Sequence, residues 1–327
     1  MRDHPIRGCD IFCGAGGSSA GARSAGVKMV GAIDMCATAT ATYKANFPDV
    51  HVVTGRLEEV AIATFKEKVG EVDILLASPE CRNHTCAKGS APRDEASRAT
   101  AMQVIEYARE LGPRWLVLEN VVYMRPWSRY PELKHGLEEL GYQLKEYTLD
   151  ASDYGVAQKR RRLFLVGDKA RQPAQELAKR LGRRKSAKSI LDKPGTWKTS
   201  PLRIARRAEA TIQRAERGFR TLGDEASFLL VYYGSDGSGG WQRLDRPLRT
   251  VTTVDRFALV EHGADGPTMR MLQVPELKRA MGFGDDFQLA EGTRRDKIRL
   301  LGNGVCPPVM ERVVRSLTDR RTIPARS

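Results

Sequence analysis

DIFCGAGGSSAGARSAG, residues Asp10 to Gly26, is the stretch on which the fold turns. An apolar strand runs into a glycine turn at Gly14, Gly16 and Gly17, and a small-residue helix follows. Glycine lets a backbone approach a ligand closely, and the first amides of the next helix are open to a carboxylate. A nucleotide-like cofactor is the natural occupant. The spacing is not the GxGxxG of dinucleotide binders, which argues against a nicotinamide-dependent oxidoreductase.

Outward from this turn, short apolar runs alternate with helical stretches. GCDIFC, MVGAID, HVV, VDILLA, WLVLEN and LFLVG read as strands, with helices near residues 18–26, 36–46, 58–69, 95–111 and 131–140. Such alternation predicts an α/β domain with a mainly parallel sheet. The rhythm stops at residue 168. From there to about 220 the chain reads as basic and helical, and it then becomes glycine-rich at YYGSDGSGGW, Tyr232 to Trp241. This region is expected to form a second, smaller domain. From RPLRTVTT at Arg246 onward, and above all at LLGNGVCPPVMERVVRSL, a glycine turn and an amphipathic helix predict a return to the first domain.

The chain has 327 residues and is 41% hydrophobic, the proportion of an ordinary globular protein. It has no apolar run of the roughly 20 residues a membrane span needs, and MRDHPIRGCD lacks a signal peptide's apolar core. A soluble, cytoplasmic protein is expected. The six cysteines form no CxxC pair, so neither a zinc site nor a disulfide framework is expected. The formal net charge is +14, and residues 168–220 hold 16 Lys and Arg against 5 Asp and Glu. A concentrated excess of this kind is what phosphate neutralisation requires, and it predicts salt-dependent binding to nucleic acid, although a solvated helical face has the same composition.

Four further residues or runs can carry chemistry. Asp34 ends the second strand, where a carboxylate can accept hydrogen bonds from ribose hydroxyls or simply cap the next helix. Cys81, in ASPECRNHT, follows the strand VDILLA and falls at the edge of the sheet where α/β proteins bind ligands. A cysteine there, beside a proline and with Arg82 next to it, is placed as a nucleophile. Glu119 and Asn120 end the following strand on the same edge, so a carboxyl group for proton management stands near that thiol. In AQKRRRLFLVG, Gln158, Arg160 and Arg162 alternate and so share one face of a strand. An arginine there can fix a polar base edge or a phosphate, or merely decorate an edge strand.

Taken in order, DIFCGAGG, SPEC, ENV, QKRRR and GNGVCPPV resemble the signature of the cytosine-5 methyltransferase family, over about residues 8–167 and 246–315. The resemblance implies a Rossmann-like S-adenosylmethionine-dependent methyltransferase domain, residues 1–167 and 246–327, with a smaller target-recognition domain at 168–245. It implies that Phe12, Gly14, Gly16 and Gly17 line the S-adenosylmethionine pocket, with Asp34 on the ribose, Met35 against the adenine and Asn303 in support. Cys81 resembles the nucleophile that adds to C6 of a flipped cytosine. Glu119 resembles the glutamate on N3 and the exocyclic amine, and Arg162, with Arg160 beside it, the arginine on the O2 edge. The expected partner is double-stranded DNA, within a restriction-modification system and in contact with the nucleoid. No metal is expected, nor any membrane, and the protein is expected to be monomeric.

The sequence departs from the family pattern in three places. Glu80 stands beside Cys81 where a second proline is usual, and Arg56 stands where an acid usually meets the adenine amine. Arg82, Asn83, His84 and Thr85 replace the commoner residues after the nucleophile. Three alternatives stay open on the same motifs: an RNA cytosine-5 methyltransferase, a cytosine-C5 alkyltransferase with a modified sulfonium donor, and a catalytically silent DNA-binding protein.

Overall fold

The computed structural model describes residues 4–80, 94–180, 182–233, 237 and 239–319. Its larger sheet has seven strands: β1 (Arg7–Ile11), β2 (Lys28–Asp34), β3 (His51–Thr54), β4 (Ile74–Ala77), β5 (Trp115–Asn120), β6 (Gln143–Asp150) and β7 (Arg161–Asp168), in the order β3-β2-β1-β4-β5-β7-β6. The first five pair in parallel, while β7 lies antiparallel between β5 and β6. The expected strands are therefore present, and β6 is an addition. QLKEYTLD sits at the sheet's edge with mostly half-buried residues, so it lacks the apolar run that marks its neighbours.

Helices cover both faces, and for that reason β4 and β5 are buried along their whole length. Leu75, Leu116 and Leu118 point into one apolar cluster with Phe65, Tyr107 and Leu133, from helices α3 (Ile62–Val69), α5 (Gln103–Leu111) and α6 (Tyr130–Glu139). Alternate residues Ile74, Leu76 and Val117 point into the other, with helices α1 (Gly17–Ser24) and α2 (Ala37–Asn46). A short helix α4 (Glu95–Ala99) precedes α5.

The smaller sheet is antiparallel, in the order β10-β9-β11-β12-β8, from β8 (Ser200–Pro201), β9 (Phe228–Val231), β10 (Trp241–Arg243), β11 (Phe257–Gly263) and β12 (Gly266–Met271). Helix α7 (Glu209–Leu222) covers one face, packing Ala215 and Phe219 on Phe228, Leu230 and Val260. Leu229, Val231 and Leu259, on the other face, join the apolar cluster of the larger unit. Two expectations are corrected here. The boundary placed at residue 245 falls inside this sheet, because the hairpin β11–β12 pairs with β9 and carries it to Met271. The run 168–208, read as helical, is mostly irregular chain among the described residues, with one 3-10 helical turn at Ala187–Ile190; its prolines and glycines at 173, 182, 194, 195 and 201 deny it an α-helix.

Helices α8 (Val274–Ala280), α9 (Arg294–Asn303) and α10 (Pro307–Thr318) bring the chain back to the larger sheet. The contact with α1 is made through glycine. A Cβ on Gly17 would stand 2.3 Å from the Val305 carbonyl oxygen, and one on Gly21 2.4 Å from that of Pro307.

Candidate active site

The glycine turn is built on an awkward backbone. Phe12 has φ +58°, a conformation bulky residues rarely adopt, and Gly14 and Gly16 follow with φ +52° and +96°. Asp34 holds this turn open. Its carboxylate accepts from the Gly14 amide and from the Cys36 amide, each at 2.8 Å. Helix α2 has no side-chain cap, Cys36 being its N-cap residue, and the lone pairs left on both Asp34 oxygens still suit a ribose hydroxyl. A Cβ on Gly14 would meet nothing within 4 Å, so there is open space beside the turn. Met35, next in the chain, is 63% exposed, and Asn303 is exposed at the end of α9. Arg56 lies after β3 and pairs with Glu58 at 3.4 Å.

Beneath the turn lies a polar group that sequence reasoning passed over. Asp10 is fully buried; Ser19 donates to one oxygen at 2.7 Å and bonds Tyr43 at 2.7 Å, while the other oxygen has no partner. Burial, reinforced by Asp34, pushes its pKa up to about 7 despite the Ser19 bond. The signal was available as an acid inside an otherwise apolar strand.

At the next strand ends, the Ser78 amide donates to the Ile11 carbonyl, and the Asn120 side-chain amide donates to the Pro79 carbonyl at 3.1 Å. Asn120 thus fixes the chain two residues before Cys81. Cys81 itself, with Arg82, Asn83, His84 and Thr85, lies outside the described residues; Glu80 is exposed just before them.

Glu119 and Arg162 meet directly. Arg162 Nε lies 3.3 Å from Glu119 Oε1, and both side chains are largely buried. Burial raises the Glu119 pKa, against the opposing pull of Arg162 and then Arg160. The pair is backed by a cavity of about 10 Å³, too small for a base, with Phe164, Val305 and Cys306 in its wall. Burial pushes the Cys306 thiol up to about 11, so it is neutral lining, not a second nucleophile.

Arg160, grouped above with the base-contacting residues, is placed otherwise. It donates to the carbonyls of Val251 at 3.0 Å, Gly302 at 2.8 Å and Gly304 at 2.9 Å, and is buried. Gln158 is its companion, donating to Ala280 O and accepting from the Val251 amide. Both precede β7, yet the alternation holds: Gln158 and Arg160 point inward and tie the returning chain to the sheet, while Lys159 and Arg161 are exposed. The GNG turn that Arg160 grips leads directly into Val305, which touches Gly17 and lines the Glu119 cavity.

Part of the basic segment is neutralised by nearby carboxylates. Lys179 and Arg184 both pair with Asp153, and Arg203 pairs with Glu216 at 2.6 Å. Arg183 and Arg206 make no ion pair among the described residues. Among those residues no group of three or more His, Cys, Asp or Glu side chains is arranged to hold a metal, and no helix is long and apolar enough to cross a membrane.

A family profile described as C-5 cytosine-specific DNA methylase matches residues 6–319. The Type II methyltransferase M.AgeI of Thalassovita gelatinovora is 34% identical over 165 residues, 48% of this chain and 38% of that protein. The tRNA (cytosine(38)-C(5))-methyltransferase of Rattus norvegicus is 26% identical over 52% of this chain and 44% of its own. The chain thus aligns with less than half the length of either relative. Among solved structures, that of the Entamoeba histolytica methyltransferase EhMeth superposes with a TM-score of 0.71 at 14% identity, covering 98% of this chain and all of that one, a likeness of fold.

Proposed function

The chain belongs to the C-5 cytosine-specific DNA methylase family, and from that premise we propose that it transfers a methyl group from S-adenosylmethionine to C5 of a cytosine flipped out of double-stranded DNA. The observation that carries this reading is the buried Glu119–Arg162 pair, at the same sheet edge as the Pro79 segment that leads to Cys81. Burial raises the Glu119 pKa against the pull of Arg162 and Arg160, and in its protonated form this carboxyl can donate to N3 of a pyrimidine. Arg162, whose charge holds that carboxyl in place, presents its remaining donors to a carbonyl such as O2.

The residues of the glycine turn fit the cofactor. The left-handed turn at Phe12 and Gly14, the open space beside Gly14 and the Asp34 carboxylate suit a nucleoside bearing a ribose. When bound, S-adenosylmethionine would supply the electrophilic methyl carbon to C5 and leave as S-adenosylhomocysteine. Within the protein, the Cys81 thiolate forms a bond to C6, Glu119 takes up the charge that develops at N3, and C5 becomes the nucleophilic carbon. Loss of the C5 proton to a base then lets the C6–S bond break, and the thiolate is restored. A stacked base is out of reach of these groups, so the cytosine has to leave the helix. The region centred on the smaller sheet, from residue 168 to Met271, supplies the phosphate and base contacts of target recognition, and the protein acts as a soluble monomer in the cytoplasm.

The test is incubation of the protein with S-adenosylmethionine and either unmethylated duplex DNA or tRNA, followed by nucleoside digestion and mass spectrometry, with Cys81→Ala as control. The expected product is 5-methyldeoxycytidine, absent in the variant. Modification of tRNA alone would transfer the reading to RNA, and full turnover by Cys81→Ala would remove the covalent mechanism. A larger mass increment on C5 would identify a modified sulfonium donor.

A further inference from the structure

A surface cleft of about 460 Å³, lined by none of the residues of the Glu119 pair or the glycine turn, opens between Trp197 and helices α8 and α9. That size is within the ~300–1,000 Å³ of small-molecule sites. Its lining combines the apolar Trp197, Val274, Phe287 and Leu289 with the cations Lys278, Arg294 and Lys297, and includes no carboxylate.

The parts are held in place before any ligand arrives. Trp197 Nε1 donates to Asp192 Oδ2 at 2.8 Å; Asp192 is gripped by Arg279 at 2.5 Å, and its amide donates to Glu276 at 3.0 Å. The indole therefore stands as a fixed wall. Lys278 donates to the Asp285 and Phe287 carbonyls, both at 2.9 Å, which leaves one of its three N–H groups available. Burial lowers its pKa, with Asp285 and Asp286 nearby opposing that shift. Arg294 is fixed by Gln273, Asp255 and the Leu272 carbonyl, again with donors to spare. Lys297 makes no ion pair among the described residues; its neighbour Asp296 caps α9 through Thr293 and pairs with Arg299.

We infer that this cleft is a nucleotide site, taking a nucleoside monophosphate with its base against Trp197 and its phosphate on Lys297 and Lys278. A simple anion would use the cations and leave the indole bare, and an apolar ligand would do the reverse. A planar base carrying a phosphate satisfies both, since stacking and charge-assisted hydrogen bonds act together. The site shares no residue with the groups assigned to the methyl-transfer reaction, although Trp197 lies in the region assigned to target recognition, so its binding can be tested with methyl transfer left intact.

Thymidine monophosphate is the probe, used with S-adenosylhomocysteine in excess to fill the cofactor pocket. Intrinsic tryptophan emission of the full chain should change saturably, and Trp197→Phe should abolish that change. By calorimetry, Lys297→Glu should weaken binding about tenfold or more while Lys297→Arg retains it, and thymidine without phosphate should bind about tenfold more weakly. A thymidylate oligomer that binds far more tightly than the monomer, with the same losses in both variants, would identify an unpaired nucleic-acid strand as the source; equal affinity would identify the free nucleotide. No saturable response to thymidine monophosphate, or binding unchanged in both Trp197→Phe and Lys297→Glu, would overturn the inference.

Discussion

Arginine is put to opposite uses in two regions of this molecule. Around Glu119, Arg160 and Arg162 are withdrawn from solvent and committed to partners far away in sequence, up to Gly304. Along the basic segment most cations are exposed, and those that are paired, such as Arg184 on Asp153 and Arg203 on Glu216, sit near solvent. The charge that dominates the composition is thus the weaker contributor to structure, because water and salt screen it. Arg160 and Arg162, inconspicuous in a run of basic residues, make the sheltered contacts: Arg160 ties the returning chain to the sheet and Arg162 meets Glu119.

That contrast is most exposed to failure at Arg160. Arg160→Ala strips two buried carbonyls and one half-buried carbonyl of their donor and should cost about 3–5 kcal/mol of unfolding free energy, measured by urea denaturation. A loss no larger than that of Arg184→Ala would erase the distinction between the regions. Glu119→Gln should leave the fold intact and lower single-turnover methylation by about a hundredfold or more, the scale for removing one preorganised group from a reacting centre. Retained activity would mean that the pair's role is structural.

A pH series sharpens the comparison inside the buried region. Asp10 is raised from the ordinary aspartate range to about 7, so the folded state holds its proton more tightly than the unfolded chain. Its contribution to stability is complete below the unfolded value near 4, declines as the pH climbs, and is lost as the pH passes about 7. The melting temperature of the protein should therefore fall between about pH 4 and 8 more steeply than that of Asp10→Asn. Parallel curves would assign the decline to other groups, Glu119 first.

The smallest effects belong to the exposed region. Arg206→Ala should weaken DNA binding and reduce the salt slope by about one unit, while Arg184→Ala, whose guanidinium already faces Asp153, should change the slope less. Equal slopes would show that the Asp153 pair opens when DNA binds.

The parts read most directly from the chain are those with local causes. The strand and glycine turn from Asp10 to Gly17 and the fully buried strand Trp115–Asn120 follow from continuous apolar runs and from glycine's backbone freedom. Edge strand β6 was missed because half-burial leaves no such run, and the helix expected over 168–208 came from basic residues whose helix propensity its prolines and glycines cancel. The boundary at 245 followed a change in composition, whereas sheet membership is decided by pairing, which carries β11 and β12 across it.

By itself, then, the sequence determined the alternating α/β plan, the turn chemistry and the residue types available at the sheet's edge, since each depends on neighbours within a few positions. Only the tertiary structure decided which arginine meets Glu119 and which is tied to the returning chain. It also decided that Asp34 divides its carboxylate between Gly14 and Cys36, and that α10 closes on α1 through Gly17 and Gly21. Those choices rest on contacts between segments far apart in the chain, where burial makes one pairing of donors and acceptors far better than its alternatives, and no local pattern encodes that competition.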